Sequence, residues 1–321
     1  MLFGGLLGTL PDMDVLVRYA DAVAGFTYHR SWSHSLFVLA LASPVIAWLF
    51  FRAVPKRWLV KEYHPHAQAD SLTYLRWLFF VFLVLLSHPV LDAFTVYGTQ
   101  IFWPLRVNPV AWGSLFIIDP LYTLPLLISL VVAYRCRSRA GTAALVGLAI
   151  STGYIALSLA SQQHARAIAL ASLERQNLAA DNVLVAPAPL SVLWRIVSMD
   201  GDKYHEGFYS LFDQEVDMRF ATYDSHRDII DENLDHWPVA RLDWFTNGFI
   251  AADSKNDQLI INDLRMGVES SYVFRFRVGR WANSAFQADQ SVLMPVEMNT
   301  ERLRQILHRA WDERIDVLPF Q

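Results

Sequence analysis

The sequence predicts an α-helical membrane bundle of four full spans plus a partial N-terminal helix, followed by a soluble α+β domain. Three observations carry that reading. Charge is unevenly shared: of 27 Lys+Arg and 31 Asp+Glu in 321 residues, residues 1–160 hold only 11 and 7. Apolar runs approaching the length that crosses hydrocarbon, about 20 residues, occur only in that first half. The second half returns to ordinary globular composition, with short segments of two-residue alternation. The first half is basic and the second acidic, which excludes a disordered chain, a single soluble domain and a basic nucleic-acid binder. One cysteine, Cys136, excludes a disulfide framework and a Cys-rich zinc site.

The expected domains are 1–160, a transmembrane helical part; 161–190, an exit helix and linker; and 191–321, the soluble α+β part. Residues 1–10 (MLFGGLLGTL) read as the end of a helix. The four full spans are expected at 35–51, 74–90, 115–134 and 142–160. Residues 162–177 have helical spacing and enough charge to be solvated, and 183–189 (VLVAPAP) read as an extended linker. Strands are expected at 193–199, 204–212, 249–252, 258–264 and 272–278, with a turn at Lys255, Asn256 and Asp257. Strand 258–264 should pair with 272–278 and be covered by a helix at 300–315. In YVFRFRV, residues Tyr272, Phe274, Phe276 and Val278 should face the core, and Val273, Arg275 and Arg277 the solvent or an acidic partner surface.

Basic residues at span ends set orientation. Arg52, Lys56, Arg57 and Lys61 follow the first span, and Arg135, Arg137 and Arg139 lie between the third and fourth. Both loops should be cytoplasmic, which places residues 11–34, the 93–114 connection and the C-terminal domain on the outer side. His64 and His66 then read as solvated loop residues on the opposite face.

Three clusters stand out: Asp12 and Asp14 in PDMD, His29, Arg30 and His34 in HRSWSH, and His88 and Asp92 in HPVLD. Asp119 is a lone fourth candidate. The topology derived from Lys and Arg alone puts all of them at one membrane face, as a divalent metal site requires. Each has a plainer reading: a helix stop, interfacial histidines, a local hydrogen bond, a cap before Pro120. His88 and Asp92, four apart, share one helix face. Six potential ligands exceed the three or four protein ligands of one catalytic zinc. Either two ions are bound or some of the six orient the others, with Asp92 the choice for that role.

LLGTLPDMD, HRSWSHS and HPVLDAFTVYGTQIFWPL resemble the motifs of the YdjM-like family, bacterial inner-membrane proteins described as metal-dependent hydrolases, here in a long form with a C-terminal soluble domain. The resemblance covers roughly residues 3–160 and, more distantly, extends to zinc-dependent phospholipases C. It implies metal ligation by Asp12, Asp14, His29, His34, His88 and Asp92. It also implies the bacterial inner membrane, where the apolar runs and charge bias predict a multi-pass protein with its C-terminal domain periplasmic. Family members usually begin further upstream, with a Thr-His or Thr-Gln element that is absent here. The expected cofactor is a divalent ion, zinc first, with magnesium or manganese as alternatives. The expected activity is metal-assisted hydrolysis at a phosphoryl or acyl centre of a lipid-like substrate, Arg30 clamping an anionic group and Asp119 assisting. Membrane lipids are the expected partners, with no nucleic acid. The competing reading is a non-enzymatic, metal-stabilised scaffold or partner-binding protein. A transporter is disfavoured, since the polar groups sit at one face rather than the midplane. No P-loop, Gly-x-Ser-x-Gly elbow or dinucleotide loop is present.

Overall fold

A computed structural model describes every residue except 1, 54–68, 181, 215–216, 283–284, 297–299 and 319–321. His64, His66 and most of the expected cytoplasmic loop after the first span lie outside the described residues. The chain divides into two compact units, Met1–Ala93 with Gly98–Ala111, and Phe94–Tyr97 with Trp112–Gln321.

The first unit is helical. Helix α1 (Leu2–Thr9) runs into a 3-10 turn, Pro11–Leu16. Helix α2 (Ala22–Tyr28) follows, capped by Asp21, whose carboxylate accepts from the Ala24 amide at 3.0 Å. A second 3-10 turn, Trp32–His34, leads into α3 (Leu36–Ala53), and α4 (Ala69–Ala93) completes the set. Ala22–His34 and Leu36–Arg52 are bent from each other by 54°. The bend at Ser35 is held by the later connection: Leu36 N donates to the Ile101 carbonyl at 2.9 Å and Ser35 Oγ to that of Trp103 at 2.6 Å. Those bonds satisfy the start of α3 without a helix running through. Leu39 and Ala47 of α3, Val81 and Leu85 of α4 and Leu7 of α1 form the unit's core.

In the second unit α5 (Pro120–Arg135) and α6 (Ala140–Arg175) form an apolar hairpin. Gly147 sits where a Cβ would lie 2.5 Å from Ser129 Oγ, so its lack of a side chain is what allows the close approach. The strands β1 (Asn182–Pro187), β2 (Leu193–Asp200), β3 (Lys203–Ser210) and β4 (Phe220–Asp224) make an antiparallel meander. After α7 (Arg227–Glu232) and α8 (Trp237–Thr246) come β5 (Ile250–Lys255), β6 (Gln258–Asp263), the small β7 (Gly267–Val268) and β8 (Ser271–Tyr272), β9 (Arg275–Ala282) and β10 (Ala285–Leu293). The second sheet has the order β10-β9-β6-β5. Helix α9 (Thr300–Arg309) closes the chain. The first sheet is covered on one face by Ala165, Ala169 and Leu173 of α6 against Trp194 and Ile196. On its other face Val197 and Tyr204 pack against Phe249, Ala251, Leu264 and Tyr272. Burial on both sides explains six successive buried residues in β2.

Several expectations need correction. Among the described residues two helices are long and apolar enough to cross a membrane, Tyr74–Ala93 and Arg137–Arg175, with a third span if the bent α2–α3 pair counts as one. The 115–134 run yields a helix only from Pro120, because Asp119 caps it and Pro120 takes its first position. Its 16 residues reach roughly 24 Å. The 142–160 span and the separate exit helix are one continuous 36-residue helix. Residues 183–189 are mostly strand β1, paired with β2 from Asn182↔Met199 to Pro187↔Trp194, rather than a linker; Pro187 sits at its end, and β1 is an edge strand, where proline is tolerated. Strand β6 does pair with β9, Ile261 opposite Phe276. The 272–278 run is broken, however, with β8 ending at Tyr272 and β9 starting at Arg275. Tyr272, Phe276 and Val278 are buried and Val273 is exposed, as the alternation requires, while Phe274, Arg275 and Arg277 are intermediate. The closing helix is shorter than expected, and Ala310 and Val317 beyond it pack on Leu193 and Phe208 of the first sheet, not on β6 and β9.

Candidate metal centre

The 3-10 turn after α1 carries Asp12 and Asp14 in adjacent but different roles. Asp14 is buried and saturated: it accepts from His29 Nδ1 at 2.8 Å, the Arg30 amide at 3.0 Å and Ser33 Oγ at 2.6 Å. Burial pushes its carboxyl pKa up, but the bonds from His29, Ser33 and the Arg30 amide outweigh burial and hold it below its usual value. Arg30 adopts φ 58°, a left-handed conformation. Its amide is held by Asp14, and its carbonyl accepts from Gln100 N at 2.9 Å.

Ser33 and Gly8 set the histidine tautomers. The Ser33 hydroxyl proton goes to Asp14, so Ser33 Oγ can only accept from His34 Nδ1, 2.9 Å away. In the neutral ring His34 Nε2 then keeps its lone pair. His88 Nδ1 donates to the Gly8 carbonyl at 2.7 Å, which leaves His88 Nε2 in the same state.

Both lone pairs face carboxylates. His34 Nε2 lies 3.4 Å from Asp12 Oδ1 and 3.1 Å from Asp92 Oδ2. His88 Nε2 lies 3.4 and 3.5 Å from the same two oxygens. Both nitrogens are buried and neither makes a well-directed hydrogen bond. With neutral imidazoles acceptor faces acceptor, an arrangement relieved by a cation among them or by protonation of the rings. Asp12, His34, His88 and Asp92 offer four ligand atoms within 4.8 Å of one another. Ligands about 2.0–2.1 Å from a tetrahedral zinc are separated by roughly 3.3 Å, and the observed nitrogen–oxygen spacings bracket that value. The residues fit a divalent ion. Imidazole and carboxylate donors without thiolate suit zinc and leave harder ions open.

The structure thus gathers four of the six expected ligands. Asp14 and His29 form a pair beside them, and the carboxylate set back from the cluster is Asp14 rather than Asp92. Arg30 Nε lies 3.2 Å from Asp92 Oδ2. Asp119 belongs to the second unit, where its carboxylate accepts from Leu121 N at 2.9 Å, Tyr154 OH at 2.8 Å and Ser191 Oγ at 3.3 Å. Ser33, Gly8 and Gln100 are positioning groups that the sequence reading did not single out. Ser33 was signalled by its place beside His34 in the motif; no local signal pointed to Gln100 or to the Gly8 carbonyl.

The profile of the YdjM inner membrane protein family matches residues 1–165. The chain belongs to that family. No curated protein and no solved structure gives a significant match. The YdjM match takes in the whole cluster from Asp12 to Asp92, and its inner-membrane description agrees with the apolar helices α4 and α6. This YdjM-family member is a membrane protein whose family segment contains a group able to hold a metal ion.

Proposed function

We propose that this protein is a membrane-bound metal-dependent hydrolase, with Asp12, His34, His88 and Asp92 holding one divalent ion, zinc first. The observation that carries the reading is the pair of buried imidazole lone pairs turned toward two carboxylates at ligand–ligand spacing. Such an ion supplies Lewis acidity and brings the pKa of a coordinated water to about 7. Asp14 and Ser33 orient His34, and the Gly8 carbonyl orients His88. Arg30 steadies Asp92 and brings positive charge to the cluster's edge, where an anionic phosphoryl or acyl oxygen of a lipid-like substrate would be held. Arg135, Arg137 and Arg139 between α5 and α6 favour a cytoplasmic turn there, which puts the C-terminal domain on the outer, periplasmic side. Asp119 stays in the proposal as a residue that shapes the second unit through its cap and its Tyr154 and Ser191 bonds.

The test is elemental analysis of the full-length protein in detergent, followed by hydrolysis assays on phospholipid vesicles. The expected result is about one ion per chain, as for a single shared site, lost in His34→Ala and His88→Ala together with metal-dependent release of a head group or acyl chain. A zinc-loaded wild type retaining no ion would overturn the metal site. A second reading has its own support: four protein ligands fill a tetrahedral zinc shell, as in structural sites. On that reading the protein is a metal-stabilised scaffold, and chelation lowers its melting temperature while no substrate is turned over.

A further inference from the structure

Exposed apolar side chains such as Ile118, Ile128, Val131 and Leu157 belong to the α5–α6 hairpin, where lipid accounts for them. An exposed aromatic pair on the sheet domain needs a separate account. Phe212 and Trp311 are 58% and 62% exposed, and their rings stack with centroids 5.1 Å apart. Leu211 beside them is exposed too. Both rings stand on a braced platform. Ser210 Oγ donates to the Ala310 carbonyl at 2.6 Å, and the Ser210 amide donates to Asp213 at 2.8 Å. Arg309 grips Asp213 through two bonds of 2.6 and 2.7 Å. The residues bordering each ring are thus tied to one another, and the rings are held outward.

The bonding register fixes the height of this pair along α6. The apolar run of α6 ends at Ala160, and Ser161, Gln162, Gln163 and His164 follow. Arg166 Nη1 donates to the Val183 carbonyl at 2.9 Å and Gln162 Nε2 to that of Val185 at 3.1 Å. Strand β1 therefore runs back along α6 toward the apolar stretch, with Pro187 at its near end. Pro187 pairs with Trp194 and Trp194 with Tyr209, so β2 begins and β3 finishes at that same end. The pairing continues one step further, Leu211 N donating to the Val192 carbonyl at 3.0 Å. Ser191, next to Val192, has its Oγ 3.5 Å from Ser158 Oγ, which lies inside the apolar run. Leu211 and Phe212 thus come to the level at which α6 leaves hydrocarbon. Trp112, also exposed, marks the same level, since its carbonyl accepts from Gln162 Nε2 at 2.8 Å.

We infer that Leu211, Phe212 and Trp311 insert into the head-group boundary of the bilayer that α6 crosses and pin the sheet domain to the membrane surface. The inference goes beyond the metal-hydrolase reading and does not rest on it. Two features select lipid as the occupant. The patch continues, at the same height, the lipid-facing surface of the hairpin in its own unit. Its chemistry is that of an interfacial belt, apolar rings with an indole N–H able to meet the head groups. The charge beside Trp311 is locally balanced, Arg314 Nη2 lying 2.8 Å from Asp312 Oδ2, so insertion needs no anionic lipid. A single helix leaves the tilt of the domain open, and a second contact beside it closes that freedom.

The test uses full-length protein in phosphatidylcholine nanodiscs that carry a phospholipid with a nitroxide near its head group. Cys136→Ser removes the one cysteine, and a thiol-reactive fluorophore is then placed at Phe212→Cys, Trp311→Cys, Leu157→Cys or Lys203→Cys. Leu157 is exposed on the apolar part of α6, and Lys203 is exposed at the other end of β3, roughly 24 Å from Ser210. The labels at Phe212, Trp311 and Leu157 should lose most of their emission to the nitroxide, while the label at Lys203 keeps its own. Emission retained at Phe212 and Trp311 as at Lys203 overturns the inference. Each of these variants removes one ring, so the unsubstituted protein is tested as well, with a diazirine near the head group of the phosphatidylcholine. Irradiation and peptide mapping should place lipid on Phe212 and Trp311 and leave the turn at Gly201 and Asp202 unlabelled. Equal labelling of the two regions, or cross-linking of the ring pair to a second copy of the chain in place of lipid, overturns the inference.

Discussion

Ser33 has one proton to give, and its destination decides the state of His34. Because Asp14 takes that proton, His34 donates from Nδ1, and the neutral ring keeps its Nε2 lone pair turned to Asp12 and Asp92. Ser33→Ala leaves His34 Nδ1 without an acceptor and frees the tautomer. The expected result is metal affinity weakened roughly 10- to 100-fold, the usual effect of removing a group that orients a ligating histidine. Ser33→Thr keeps the hydroxyl and should stay near wild type; competition against a chelator of known affinity measures both. At this scale the residue types of the site were legible in the sequence, because carboxylates and imidazoles at one membrane face have few other uses. The division of labour between Asp12 and Asp14 was not. It depends on the path of the 3-10 turn and on Arg30 at φ 58°, held through Gln100, which lies seventy residues further along the chain.

Among the elements, the β5–β6 hairpin turns on Asn256 and Asp257, with φ of 52° and 56°. Two positive φ values in a two-residue loop are the type I′ turn, which favours Asn-Gly. Asp257→Gly is expected to stabilise the protein by about 0.5–1 kcal/mol by removing left-handed strain, seen as a higher denaturation midpoint. Gly279 in β9 shows the opposite case. A Cβ there would lie 2.4 Å from the Phe286 ring and 2.6 Å from the Gln287 carbonyl of β10. Gly279→Ala should therefore cost about 1–3 kcal/mol in overpacking. The end of the chain is pinned by a bidentate pair, Arg309 to Asp213 at 2.6 and 2.7 Å, both largely buried. Asp213→Ala strands that guanidinium and is expected to lower stability by about 3–5 kcal/mol. Short runs rich in apolar and β-branched residues, such as those at 193–199 and 258–264, could be read from sequence. Strand β10 could not, because AFQADQSVL places polar residues on both faces and it is an edge strand with a register shift between Ala288 and Val292. Strand β1 was hidden by Pro187 at its end and Pro189 just beyond it.

For the whole molecule, the basic residues flanking the α5–α6 turn predict that Cys136, which is exposed, faces the cytoplasm. A membrane-impermeant thiol reagent on intact spheroplasts should then leave Cys136 unlabelled and label a Ser270→Cys variant. The reverse pattern inverts the topology and moves the metal cluster to the cytoplasmic face. The two-part architecture was legible because charge density changes so sharply near residue 160. The compact units are drawn elsewhere because a helix can be apolar for half its length and still contribute its other half to a soluble core, as α6 does with Ala165, Ala169 and Leu173.

That continuity makes α6 a drive shaft. Its 36 residues extend roughly 54 Å, well beyond the roughly 30 Å of hydrocarbon a bilayer offers. The far end is bolted into the first sheet through Leu173 and Trp194, and the middle is clamped where Gln162 Nε2 donates to the Trp112, Gly113 and Val185 carbonyls. Because the helix is unbroken between the apolar stretch and the sheet, the rotational phase of one end fixes that of the other. One residue inserted between Ser151 and Ser158 would turn the sheet by about 100° and lift it by about 1.5 Å, so the phase of this helix sets which side of the domain looks along the membrane.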